Sequence, residues 1–419
     1  MEIKARLVSS TILQKNGRNY LEVSIDPPKM EQKDRRPALI VFVLDRSGSM
    51  KMRDHSGKGS KIGRAKLALI QFTGQLSNED KLGVVSFNKE ITVDQHITTV
   101  DSNTISNIIN QINSISAAGS TNISGALHAA SHMITPENVK NYNCKIILMS
   151  DGMANVGITD KQGFSALCLE IFEKGIIITS LGIGEMYRLE TMDTIATCGG
   201  GNFHHLDKVD SLHDVFMEEL NLLGMISAKD TRIIITNTGF VEVGKNLNGF
   251  HQVNGYDYTE IILGDIASPK KVMVELKNEF ETVKNTIDIQ VKYMTSDLEP
   301  KSVNASVALF VVNTLEELRE APVDKRIMNS VLDLIIHNAV TEMSELFEIR
   351  DTRGIRQVLE NYLLKLREIN HLFGVDLFYY ENKLRNAAKP FISNTAHMSD
   401  VKRCYALRRK DMKGGGFNY

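Results

Sequence analysis

Cysteine is scarce in this chain. The four residues, Cys144, Cys168, Cys198 and Cys404, lie far apart with no CxxC pair, which excludes a disulfide-dense scaffold and a thiolate zinc site and leaves reduced, structural thiols as the expectation. Proline is also scarce, with eight in 419 residues, and at 42% hydrophobic and 24% charged residues the chain is neither collagen-like nor disordered throughout. No excess of one charge exists. Lysine and arginine (49) against aspartate and glutamate (51) leave a net −2, so no global field draws the protein to nucleic acid or an anionic membrane, and any charge-based function is local. The longest strongly apolar run, Ala38 to Leu44, falls far short of the ~20 residues of a membrane-spanning helix. Met1-Glu2-Ile3-Lys4-Ala5-Arg6-Leu7 carries charges where a secretion signal needs an apolar stretch, so a cytoplasmic location is expected.

What is present divides by periodicity. Leu21, Val23 and Ile25, and again Ile287, Ile289, Val291 and Tyr293, alternate strictly with polar residues, as strands with one wet face do. By contrast Leu39 to Leu44, Ile146 to Met149 and Ile176 to Ile178 are continuous apolar runs, the pattern of central parallel strands covered on both faces. Helical stripes lie between them: Ile62, Ala65, Leu69, Phe72 and Leu76; Ile105, Ile108, Ile109, Ile112 and Ile115; Ile123, Ala126, Leu127, Ala130 and Ile134. Residues 37–226 therefore read as an α/β domain with a doubly wound, mostly parallel sheet. Residues 227–313 read as a β-sandwich of short alternating strands, and the N-terminal strands of 1–36 share its alternation and are expected to complete it. The α/β domain is then an insertion in the sandwich. A helical region follows over 314–389, with a break at Asp351-Thr352-Arg353-Gly354 between two stripes. Residues 390–419, ending in Gly414-Gly415-Gly416, read as a flexible basic tail.

The first buried strand ends in Asp45-Arg46-Ser47-Gly48-Ser49. In open parallel sheets ligands gather outside the carboxyl ends of strands. Alternate positions point the same way, so Asp45, Ser47 and Ser49 converge there, with Gly48 permitting the turn. This all-oxygen set suits a hard divalent cation, Mg²⁺ first and Mn²⁺ or Ca²⁺ next. Gly119-Ser120-Thr121 and Ser150-Asp151-Gly152 bring further oxygen-bearing side chains to the same edge. The set resembles the metal-ion-dependent adhesion site of von Willebrand factor type A domains, Asp-x-Ser-x-Ser with a later Thr and Asp. The stretches Leu82 to Phe87, Ser150 to Asn155 and Leu181 to Gly184 resemble the bacterial branch of that family, and a weaker pattern likeness to bacterial multidomain members extends to about residue 367.

The resemblance implies a Rossmann-like fold. It also implies metal contact by the hydroxyls of Ser47, Ser49 and Thr121, with Asp45 and Asp151 binding directly or through water. It implies a partner protein whose Glu or Asp completes the shell, and therefore a non-enzymatic interaction or scaffold module. Arg46, Lys51, Arg53, Lys58, Lys61 and Arg64 favour an acidic partner or form a solvated loop. A second reading, also from the family, makes the chain an accessory subunit of an AAA+ ATPase complex. A third is RNA binding by the tail, where Lys402, Arg403, Arg408, Arg409 and Lys410 accompany Tyr405. His128 and His132 stand at i,i+4 without the glutamate of a metalloprotease helix, and read as a partly exposed face. Lys58-Gly59-Ser60-Lys61 lacks phosphate-loop spacing, and no G-x-S-x-G elbow or adjacent base accompanies Ser47 or Ser49.

Overall fold

A computed structural model describes residues 1–29, 36–53, 59–206, 212–236, 241–278 and 286–414, with side chains of the last helix described up to residue 406. Two compact units are present, one formed by Met1–Lys29 together with Ser227–Tyr419 and the other by Met30–Ile226. The chain opens with strands β1 (Glu2–Leu7), β2 (Thr11–Leu13) and β3 (Gly17–Asp26). β1 and β3 run antiparallel with Leu7 opposite Leu21, so their alternating side chains face one side together.

The second unit is the α/β layer. Its elements are β4 (Ala38–Asp45), a 3-10 turn (Gly48–Lys51), α1 (Lys61–Thr73), β5 (Lys81–Phe87), β6 (Ile91–Thr99), α2 (Ile105–Ser114), α3 (Ile123–Met133), α4 (Pro136–Asn141), β7 (Asn143–Ser150), α5 (Lys161–Glu173), β8 (Ile176–Ile183), α6 (Leu189–Cys198), β9 (Gly200–Leu206) and α7 (Leu212–Gly224). The sheet order is β6-β5-β4-β7-β8-β9. All neighbours are parallel except the β5–β6 pair at one edge. Every residue of β4, β7 and β8 is buried, as the apolar runs Leu39 to Leu44, Ile146 to Met149 and Ile176 to Ile178 within them predict. On one face Phe42 of β4 meets Phe72 of α1 and Phe216 of α7 edge-on, with ring centroids 5.3 and 4.9 Å away, and Phe72 and Phe216 meet each other at 5.6 Å. The chain leaves β4 toward β5 on one side and later returns to β7 on the other. The carboxyl ends of β4 and β7 therefore flank the point where strand order reverses, where open α/β sheets bind ligands.

A polar knot is buried in this layer. Glu219 of α7 accepts hydrogen bonds from Lys145 Nζ (2.6 Å), Thr179 Oγ1 (2.9 Å), Asn202 Nδ2 (2.9 Å) and His204 Nε2 (2.8 Å). These donors come from β7, β8 and β9, so one carboxylate fastens α7 to three strands. Burial alone would raise its pKa. The ammonium of Lys145 and the imidazole of His204 outweigh that and hold the carboxyl well below the usual range.

The remaining strands are β10 (Ala228–Thr236), β11 (Glu242–Asn246), β12 (His251–Asn254), β13 (Tyr258–Ile266), β14 (Lys270–Asn278), β15 (Thr286–Met294), β16 (Pro300–Ala308) and β17 (Phe310–Val312). They form sheets β1-β3-β14-β11 and β12-β13-β10-β15-β16, with a parallel pair β17-β2. Val23 of β3 lies opposite Val272 of β14. Leu21, Val23, Ile25, Val272 and Val274 of the first sheet share one core with Ile233, Ile235, Ile261, Ile287 and Ile289 of the second, the layered packing expected of a sandwich.

The C-terminal helices are α8 (Leu315–Glu320), α9 (Lys325–Glu348), α10 (Thr352–Phe373), α11 (Phe378–Ile392) and α12 (Met398–Gly414). The break between α9 and α10 falls slightly earlier than the sequence suggested. Arg350 takes a left-handed φ of 59° and Asp351 caps the amide of Gly354 at 2.8 Å, which puts Gly354 inside the first turn of α10. The expected flexible basic tail is corrected more substantially. Val401, Lys402 and Tyr405 of α12 are buried. The Lys402 ammonium pairs with Glu348 at 2.9 Å and the Tyr405 hydroxyl donates to Glu345 at 3.0 Å. Spacing of i, i+1 and i+4 presents these residues to α9 as a packing stripe, so neither Lys402 nor Tyr405 is available to phosphate or base. Arg403 is exposed and pairs with Asp400 at 2.7 Å, and the side chains of Arg408, Arg409 and Lys410 lie outside the described residues. Tyr405→Ala should accordingly cost roughly 3 kcal/mol, read as a loss of denaturant midpoint, whereas a free tail would leave it unchanged. Among the described residues no helix is long and apolar enough to cross a membrane.

Candidate metal centre

Asp45 ends β4 and is wholly buried. The chain then turns back on it, and the amide of Ser47 donates to Asp45 Oδ1 at 2.7 Å. The 3-10 turn brings the hydroxyls of Ser47 and Ser49 to 3.1 Å. The loop before α3 is laced to this turn by its backbone, with Gly48 N–H to Gly119 O at 3.0 Å and Ala118 N–H to Arg46 O at 2.7 Å. Thr121 is fixed in turn by Asn155, whose Oδ1 accepts from the Thr121 amide at 2.9 Å and whose own amide donates to Thr121 O at 3.0 Å.

β7 supplies the third side. Ser150 Oγ donates to Asp45 Oδ2 at 2.6 Å, and Asp151, also wholly buried, accepts from Ser49 Oγ at 2.7 Å. A measure of convergence comes from Gly152. A Cβ placed there would lie 3.4 Å from Thr121 Oγ1, 3.7 Å from Ser49 Oγ and 3.9 Å from Asp45 Oδ2. All five residues named from the sequence are therefore gathered at one sheet edge, from three separate loops. Three roles escaped the sequence: Ser150 as a donor to Asp45, Asn155 as the brace of Thr121, and Lys61. By sequence Lys61 belongs with the basic loop, yet its side chain is buried and its ammonium donates to Asp151 Oδ2 at 2.5 Å. Lys51 and Arg53 are exposed as a solvated loop would have them, Arg46 and Arg64 are partly buried, and Lys58 lies outside the described residues.

The donor set fits a hard divalent ion. Three neutral hydroxyls and two carboxylates offer oxygen only. Burial pushes the Asp45 carboxyl up to about 6 against the opposing hydrogen bonds of Ser150 and Ser47, and the neighbouring Asp151 charge adds to the rise, a cost that a cation between the carboxylates would relieve. Among the described residues no cluster of three His, Cys, Asp or Glu side chains could hold a metal, so hydroxyl participation is essential to any such site. His128 and His132 are both exposed, and His132 Nδ1 donates to the His128 carbonyl at 2.7 Å, as the exposed-face reading expects.

The profile of the von Willebrand factor type A domain matches residues 40–154, an interval that holds all five oxygen-bearing residues. The Escherichia coli (strain K12) protein YfbK is 24% identical over 296 residues, covering 68% of this chain and 49% of that protein. The mouse calcium-activated chloride channel regulator 3A-1 is 24% identical over 69% of this chain and 30% of its own length. The chain thus spans half or less of these relatives. Among solved structures, a von Willebrand factor type A protein from Catenulispora acidiphila superposes with a TM-score of 0.68 at 13% identity, covering 88% of this chain and 87% of that one. The ArnB paralog VWA2 from Sulfolobus acidocaldarius superposes with a TM-score of 0.65 at 15% identity, over 99% and 98%. These last two bear on fold alone. Taken with the gathered Asp-x-Ser-x-Ser, Thr and Asp, the match identifies residues 40–154 as a von Willebrand factor type A domain.

Proposed function

We propose that the centre binds one Mg²⁺ and uses it to dock a partner protein through a glutamate or aspartate side chain. Domains of this type commonly serve as protein-interaction modules, and the finer reading rests on one observation: three loops gather five oxygen-bearing side chains, only two of them charged, with Asp45, Ser49 and Thr121 around the Gly152 position and Ser47 and Asp151 hydrogen-bonded to Ser49. Ser47, Ser49 and Thr121 would hold the ion through their hydroxyls, with Asp45 and Asp151 orienting those hydroxyls and balancing charge. Mg²⁺ prefers six oxygen ligands and keeps exchangeable waters where protein ligands are few, which leaves room for an incoming carboxylate. Ser49 donates its proton to Asp151, which leaves the lone pairs of its oxygen free to hold the ion, and the reading is of docking without catalysis. Met52, Met153 and Met186, on the loops after β4, β7 and β8, are 59%, 50% and 60% exposed. They supply an adaptable apolar rim for residues flanking the partner's acid.

Calorimetric titration of Mg²⁺ into chelator-treated protein is the test. One saturable site is expected, weakened about 100-fold in Asp151→Ala. A short peptide carrying a single glutamate should then bind with Mg²⁺ and not with chelator, and its glutamine version should not bind at all. Failure of the unaltered protein to bind Mg²⁺ would overturn the proposal.

A further inference from the structure

Lys61 stands where a basic side chain is costly. It is the first residue of α1, behind the N-cap Ser60, whose hydroxyl accepts from the Gly63 amide. A lysine in that position has every opportunity to reach solvent, and a cation in the first turn is disfavoured by the helix dipole. Instead its side chain is only 10% exposed and runs inward to Asp151. Two features hold it there. The Lys61 amide donates to the Met52 carbonyl at 3.0 Å, tying the start of α1 to the turn that carries Ser47 and Ser49. Gly184, just beyond β8, has a φ of +72°, and a Cβ there would stand 3.5 Å from Lys61 Nζ and 3.8 Å from Cε. The loop after β8 thus keeps a side chain off the ammonium.

We propose that Lys61 is the resident counter-cation of the metal centre, lowering its affinity for Mg²⁺ and making the loaded centre demand an anionic ligand. This rests on the metal reading above. Asp45, Asp151 and Lys61 together carry one negative charge. A divalent ion converts that to one positive charge, and one carboxylate from a partner returns it to neutrality. Without Lys61 the two aspartates alone would neutralise the ion, and the partner's acid would add an uncompensated negative charge in a buried place. Lys61 would therefore couple the two binding events: metal is held loosely until an acid arrives.

The test compares the unaltered chain with Lys61→Met, which keeps the length of the side chain and removes its charge. Lys51→Met is the control, since Lys51 is an exposed cation on the neighbouring 3-10 turn. Calorimetry with Mg²⁺ alone should give about tenfold or tighter binding in Lys61→Met and a change within about twofold in Lys51→Met. Acetate added as a probe anion should strengthen Mg²⁺ binding in the unaltered chain and much less in Lys61→Met. Thermal melting in chelator should show Lys61→Met destabilised, with a larger gain on adding Mg²⁺ than the unaltered chain shows. Equal or weaker Mg²⁺ binding by a folded Lys61→Met overturns the proposal, and so does comparable tightening in Lys51→Met. Absence of Mg²⁺ binding in the unaltered chain instead overturns the metal reading beneath it. The chelator melt still reports whether Lys61 offsets the buried carboxylates.

Discussion

Glu219→Ala should lower stability by roughly 3–5 kcal/mol, read as an early loss of the α/β unit in urea or heat. The size follows from what remains after the substitution. Lys145 Nζ would lie buried without an anion, and Thr179, Asn202 and His204 would each lose an acceptor. Pairing Glu219→Leu with Lys145→Met should recover much of the loss, because a buried ion pair replaced by apolar groups of similar volume is often near neutral. The pH dependence has a definite sign. The folded carboxyl is depressed below its ordinary 4.5, so its contribution is fully present above that value and is lost as pH falls beneath it toward the folded pKa. Acid unfolding of Glu219→Leu should therefore be shallower than that of the unaltered protein below pH 4.5. An unchanged urea midpoint in Glu219→Ala would show that the knot is not what anchors α7.

Gly152→Val should abolish Mg²⁺ binding, by about 100-fold or more in affinity, while leaving the melting temperature in chelator nearly unchanged. The Cβ alone would come within 3.9 Å of Asp45 Oδ2, Ser49 Oγ and Thr121 Oγ1, and either γ-methyl must project further among the donors or against the loop that holds them. Gly152 is partly exposed and its backbone lies outside the left-handed region, so neither core overpacking nor backbone strain accompanies the change. The two readouts separate site from scaffold. Strong Mg²⁺ binding in this variant would mean that the ion sits elsewhere.

Much of this molecule can be read without coordinates, for physical reasons that differ from place to place. β4, β7 and β8 announce themselves because strands covered on both faces need no polar alternation, and β15 shows the one wet face its alternation predicts, whereas β3 alternates in the same way yet buries Glu22, which pairs with Arg326. Asp45, Ser47, Ser49 and Asp151 are legible because they lie at or just beyond the ends of β4 and β7, where sequence position fixes spatial position, while Thr121, in the loop between α2 and α3, is legible through the family resemblance. Lys61 is not, since nothing in a helix-initiating Ser60-Lys61 says whether the ammonium turns outward or in. The knot around Glu219 combines residues from four elements. One signal was available: Lys145 interrupts the otherwise apolar Cys144 to Met149, and a lysine inside a central strand requires a buried acid to meet it. Pro390 invites the reading of a helix stop, yet it sits near the end of α11. The stripe of Val401, Lys402 and Tyr405 is too polar to signal burial by hydropathy.

The sheet that pairs β3 with β14 joins segments from either side of the α/β unit, which has a consequence for biosynthesis. As the polypeptide leaves the ribosome, Leu21, Val23 and Ile25 emerge long before Val272 and Val274, their neighbours in the finished layer. At about 5–20 residues per second that interval lasts roughly 10–50 s. All of β4 to α7 is available meanwhile, so the inserted unit can finish while the sandwich still waits for its second half. During that wait the nascent β1–β3 ribbon displays an unpaired edge, and chaperone capture should concentrate on its first thirty residues or so.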